Sequence, residues 1–251
     1  MSGHSKWSTI KRKKGAADAK RGAIFTRLAR EIVIAAREGG GDPETNFRLR
    51  LAVDKARSEN MPKDNIERAI RRGSGEDKDA AAFEQITYEG YAPHGVAVMV
   101  EAVTDNRNRT VSDLRHVFTK AGGNMAEPGA VGWQFERIAY FSFPSSALNF
   151  DKAFELGIEA GANDVVEDDG HIEITGPVET FKEIATLLHT AKVQPEEAGL
   201  RMNPKQEVEL DAEDSVQVLR ALEAIEDLDD VQNVYSNLKV SEEAIAALES
   251  A

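Results

Sequence analysis

Cysteine does not occur anywhere in the 251 residues. Its absence excludes disulfides, thiolate nucleophiles and Cys-ligated metals, and a reducing cytoplasm is the expected compartment. Long apolar runs are missing too: the longest, such as Val96 to Val100, have strand length and fall far short of a membrane span. Histidine is sparse and scattered, at His4, His94, His116, His171 and His189, with no HxH or HExxH pair to hold a metal. There is no G-x-S-x-G elbow, no G-x-x-x-x-G-K-[ST] loop and no strand-linked G-x-G-x-x-G. Gly39-Gly40-Gly41 follows a helical pattern and reads as a helix stop. Glu167-Asp168-Asp169-Gly170 has the composition of a calcium loop without its alternating ligands, and Asp-Gly is a hairpin signal. The expectation is a protein with no catalytic residues, no metal and no cofactor.

What is present is charge, unevenly distributed. The chain carries 31 basic and 44 acidic residues, a formal −13. Residues 1–75 hold 18 of the basic and 9 of the acidic side chains, net +9, which leaves net −22 for the rest. Such asymmetry suggests a polyanion-binding module joined to an acidic body. The basic character starts at once, with Lys6, Lys11, Arg12, Lys13, Lys14, Lys20 and Arg21. A secretory signal needs an apolar stretch after its charges; Gly15 to Gly22 is polar and alanine-rich, so no cleaved leader is expected.

From about Ala16 to Glu38, Ile24, Phe25, Leu28, Ile32, Ala35 and Ala36 recur at helical spacing. Lys20, Arg27, Arg30 and Arg37 share one face of that helix, a stripe able to line a phosphate backbone or simply to face solvent. A second helix is predicted over 44–58. A third is predicted in NMPKDNIERAIRRG, with Pro62 in its first turn and Gly73 just past its end. The three form a small bundle, preceded by a flexible basic arm, Lys6 to Lys14, whose Trp7 can stack on a base or pack on the bundle. Ser74 to Glu84 reads as a linker.

The remainder alternates strands and helices. Strands are predicted at 83–88, 96–103 and 131–136, with a helix over 110–120. Residues 138–205 then show the order βαββαβ of a ferredoxin-like unit. A strand at 206–210, a helix over 214–227 and a strand at 231–235 resume the outer unit. The fold class is therefore α+β multidomain: an N-terminal three-helix bundle, then two α/β units, one ferredoxin-like and inserted in the other. The expected domains are 1–78, a discontinuous one of 79–137 and 206–251, and an inserted one of 138–205. Arg107 and Arg109 fall at a helix N-terminus capped by Asn108 or Thr110, a candidate anion site unless nearby acids such as Asp105 and Asp113 pair with them.

HSKW, KGAADAKRG, NMPKDNIERAI, YEGYAPHGVAVMVE, TDNRNRTVSDLRH and KAGGN occur here in that order, and they resemble the YebC/PmpR family of bacterial proteins. The likeness runs over nearly the whole chain and is densest from His4 to Glu136. It implies a cytoplasmic, three-domain, non-enzymatic protein. Members are usually described as probable transcriptional regulators that bind DNA. A mitochondrial translational activator is a relative, and some members look like ribosome-bound translation factors acting at proline-rich stalls. Two readings therefore stand: a DNA-binding transcriptional regulator, or an rRNA-binding translation factor. A third is a protein-interaction scaffold whose basic arm docks on the acidic body or on an acidic partner. In each the chain is expected to act as a monomer, away from membranes. The nucleic-acid-binding candidates are Lys6, Trp7, Lys11, Arg12, Lys13, Lys14, Lys20, Arg21, Arg27, Arg30, Arg37, Arg107 and Arg109.

Overall fold

A computed structural model describes residues 18–76 and 83–249. In chain order these form α1 (Asp18–Gly39), α2 (Phe47–Ser58), α3 (Lys63–Ser74), β1 (Glu84–Tyr91), β2 (Ala97–Thr104), α4 (Arg107–Lys120) and β3 (Asn124–Ala126). Then follow β4 (Phe135–Pro144), α5 (Phe150–Ala160), β5 (Asp164–Asp168), β6 (His171–Pro177), α6 (Phe181–Thr190) and β7 (Glu197–Pro204). The last elements are α7 (Ala212–Glu226), β8 (Val231–Ser236) and α8 (Glu242–Glu249). The chain divides into two compact units: Phe135–Lys205, and the segments on either side of it.

The larger unit begins with the three-helix bundle. Ile32, Val33, Ile34, Ala35 and Ala36 of α1 are all buried. A helix apolar on every side needs cover on every side. Side chains of α2 and α3 supply part of it, including Leu49, Val53, Ile66 and Ala69; Phe83 and Val103 join the same cluster. Asn46 ties the helix ends together. Its Nδ2 donates to the carbonyls of Ala35 and Gly40, while its Oδ1 accepts from Leu49 N at 3.1 Å as the N-cap of α2. Gly73 lies inside α3 rather than after it, and it is glycine for close packing: a Cβ there would sit 2.4 Å from Val33 O. The helix ends instead at Gly75, whose φ of 81° is the left-handed conformation glycine favours.

The sheet of this unit has the order β3-β1-β2-β8, with antiparallel neighbours throughout. Its third strand is Asn124–Ala126, not the expected 131–136. The reason is Glu89: its carboxylate accepts from the backbone N–H of Gly129, Val131 and Gly132 at 2.8, 2.6 and 2.8 Å. Amides turned onto a carboxylate are not available to a strand ladder. The strand expected at 206–210 reduces to one parallel bridge, Val208 to Leu238.

Phe135–Lys205 forms the ferredoxin-like unit. Its sheet order is β5-β6-β4-β7, all antiparallel, which is the split βαβ arrangement read from the sequence. Asp169 and Gly170 turn the β5–β6 hairpin with φ of 45° and 75°, as Asp-Gly in a two-residue turn should. Phe141, Phe143, Ile172, Ile174, Ile184 and Leu188 are its fully buried core. On the other face of β4, the ring of Tyr140 stacks 3.5 Å under the Arg201 guanidinium, and its hydroxyl donates to Glu173 at 2.8 Å. Burial pushes the Tyr140 phenol up to about 12.

Candidate nucleic-acid interface

Lys6, Trp7 and Lys11 to Lys14 lie outside the described residues, as do the side chains of Lys20 and Arg21. The rest of the α1 stripe is described, and it is committed to the protein itself. Arg27 Nη2 donates to the Glu226 carbonyl at 2.7 Å. Arg30, 8% exposed, donates to the Asp229 carbonyl and pairs with Asp230 at 2.8 Å. Arg37 donates to the Phe83 carbonyl. The stripe expected to line a phosphate backbone thus runs along the seam between the bundle and the α/β part of the same unit. Ile34, buried in the middle of it, keeps that face dry.

Asp230 is the hub of the seam. Besides Arg30 it accepts from Thr110 Oγ1 at 2.7 Å, Thr104 Oγ1 at 3.1 Å and Arg109 Nη2 at 3.0 Å. Burial by itself would raise this carboxyl. The hydrogen bonds of Thr110 and Arg109, the Arg30 charge and the Thr104 hydrogen bond outweigh that, holding Asp230 below its usual range. Arg109 also pairs with Asp105 at 3.0 Å, and Arg107 pairs with Glu84. The anion site expected at these two arginines therefore already holds the protein's own carboxylates, and an incoming phosphate would meet negative charge there. Asn106, rather than Asn108 or Thr110, caps α4, through its Oδ1 to Arg109 N at 3.2 Å.

The exposed positive charge of the bundle lies elsewhere. Arg68 and Arg71 on α3 are exposed and make no ion pair among the described residues. Arg72, one residue further, lies with its guanidinium 3.9 Å from the centroid of the Phe83 ring. Asn65, Arg68 and Arg72 share one face of α3 by i, i+3 and i+7 spacing. They flank a cleft of about 330 Å³ between α1 and α3, lined also by Phe25, Ala29, Met61 and Ala69. These arginines are not among the binding candidates that the charge distribution suggests. The signal that could have found them is the block NIERAIRR, in which Asn65, Arg68 and Arg72 recur at helical spacing and Ala69 lies three before Arg72. Among the described residues, no group of three or more His, Asp or Glu is placed to hold a metal ion. No helix there is long and apolar enough to cross a membrane.

Comparison with known proteins agrees with this architecture. Residues 5–76 match a family model described as the TACO1/YebC protein N-terminal domain, and residues 83–238 match one described as the TACO1/YebC second and third domain. A protein of Geotalea uraniireducens named "Probable transcriptional regulatory protein" is 55% identical over 243 residues, 97% of this chain and 98% of its own. One of the same name from Rubrobacter xylanophilus is 53% identical over 246 residues, 98% of each chain. The crystal structure of a conserved hypothetical protein from Aquifex aeolicus superposes with a TM-score of 0.82 at 45% identity, covering 90% of this chain and 93% of that one.

Proposed function

The chain belongs to the TACO1/YebC family, and from that premise we propose that it is a non-enzymatic, cytoplasmic, nucleic-acid-binding regulator of gene expression. The relatives' name points to transcription, and so to DNA as the first target to test. The single observation that carries the reading is the surface of α3, where Arg68 and Arg71 stand exposed beside Arg72 and make no ion pair among the described residues. The basic segment Lys6 to Lys14 adds charge from the same domain. Arginines of this kind neutralise phosphates without reading sequence, and such binding releases counterions.

A second reading, an RNA-bound translation factor working at the ribosome, is favoured by one observation: Arg68 and Arg72 flank a concavity rather than crown a helix ridge. Sequence-specific duplex readers present a protruding helix to the major groove, whereas unpaired RNA offers splayed bases to pockets. Crosslinking in cells followed by sequencing of both DNA and RNA separates the two. Discrete promoter peaks without ribosome co-sedimentation support transcription; enrichment of rRNA without promoter peaks supports translation. If neither nucleic acid is enriched over an unrelated acidic protein, the proposed function falls.

A further inference from the structure

We infer that the cleft between α1 and α3 is a receptor for a single unstacked nucleotide, with the base held between the helices and its phosphate on the arginines. The inference rests on the nucleic-acid-binding reading and deepens it by naming what the site holds. The cleft exists because Ala29 of α1 and Ala69 of α3 bring only methyl groups to where the two helices face each other. Its volume, about 330 Å³, lies within the range of small-ligand sites.

The lining is chemically directional. Phe25 and Met61 give apolar surface for the face of a flat ring. Asn65 brings both a donor and an acceptor, the combination that suits a base edge. Arg68 and Arg72 bring positive charge, and among the described residues no acid lines the cleft. The Phe83 ring carries the guanidiniums of Arg72 and Arg30 at 3.9 and 5.5 Å, a stack that holds both heads beside the cleft.

Arg30 adds positive charge at the wall of the cleft. Its two terminal nitrogens are used by Asp229 and Asp230, but its buried Nε finds no hydrogen-bond partner among the described residues. Arg30 is more than nine-tenths buried and lines the cleft. That Nε is itself closed off from solvent, so a base in the cleft meets the charge of Arg30 and not a hydrogen bond from Nε.

The test uses the full chain and fluorescence anisotropy on three probes: a 12-nucleotide single-stranded RNA, the same sequence as a duplex, and the single strand with abasic sites. Wild type is expected to bind the single strand roughly tenfold or more tighter than either of the other two, the scale of one stacked base. Ala29→Phe fills the cleft from its partly exposed wall, with Asn65→Ala as the second variant if that one fails to fold by circular dichroism. Either variant should erase the single-strand preference while leaving duplex affinity unchanged. A variant that keeps the preference, or that loses equally on all three probes, overturns the cleft. If wild type binds no polymer, the nucleic-acid reading fails. The cleft is then judged separately by NMR titration with AMP and GMP: shifts of the Ala29 and Ala69 methyls sustain it, and their absence overturns it.

Discussion

Two helices of one bundle, α1 and α3, are both rich in arginine, and they use it in opposite ways. On α1, Arg27, Arg30 and Arg37 are turned onto Glu226, Asp229, Asp230 and Phe83. On α3, Arg68 and Arg71 face outward with no carboxylate against them among the described residues. The difference follows from what surrounds each helix. Helix α1 is apolar along its middle from Ile32 to Ala36 and must be enclosed, so its arginines are enclosed with it and need partners. Helix α3 packs on one side only and leaves its charge in water, where a phosphate can reach it. A count of basic residues is therefore not a count of binding residues.

Asp230→Ala should have the largest effect, because it strands the Arg30 charge and takes the shared acceptor from Thr104 and Thr110. Breaking a buried pair costs about 3–5 kcal/mol. Urea or thermal unfolding measures it; a loss within about 1 kcal/mol would mean that the seam on α1 is not structural.

Acid should undo part of the same interaction. The Asp230 carboxyl is held below its usual range in the folded protein, so its contribution is complete above the pKa it has when unfolded, at about 4. It is lost as pH falls through the lower, folded value. Wild type should therefore lose stability more steeply than Asp230→Asn below about pH 4, with parallel curves above about pH 5. Parallel melting curves over the whole acid range would contradict the role given to Asp230.

The smallest effect separates the helices most cleanly. Arg27→Gln removes a half-buried hydrogen bond to the Glu226 carbonyl and should cost about 1 kcal/mol. Arg71→Gln removes no ion pair among the described residues and should change stability by no more than about 0.5 kcal/mol. Equal costs would erase the distinction drawn between the two helices.

How much of this the sequence disclosed depended on distance along the chain. The helices were legible because their apolar spacing is local, and the ferredoxin-like unit because its strands and Asp169-Gly170 turn follow one another in order. The seam was not. Arg30 meets Asp229 across a gap of 199 residues, a pairing that no local pattern announces. One sign was there: IVIAA interrupts the amphipathic pattern of α1, and a helix apolar all round has no face to give to a phosphate backbone. Glu89 hid the true β3 in the same way, its carboxylate gathering three amides 40 to 43 residues downstream. The Arg68–Arg72 face was local and was open to reading. Its signal is the spacing of Asn65, Arg68 and Arg72 by helical turns, which a count of net charge does not register.

The central claim is that positive charge on α3, not on α1, meets phosphate, and the salt dependence of binding tests it most directly. With about six phosphates neutralised, wild-type affinity for a nucleic-acid probe should fall roughly a thousandfold between 50 and 200 mM salt. Arg68→Ala with Arg71→Ala should lower the slope of log affinity against log salt by about 2, close to one for each phosphate contact removed. Arg27→Gln with Arg37→Gln should leave the slope as it is in wild type. A slope that falls for the α1 pair and holds for the α3 pair would contradict the account.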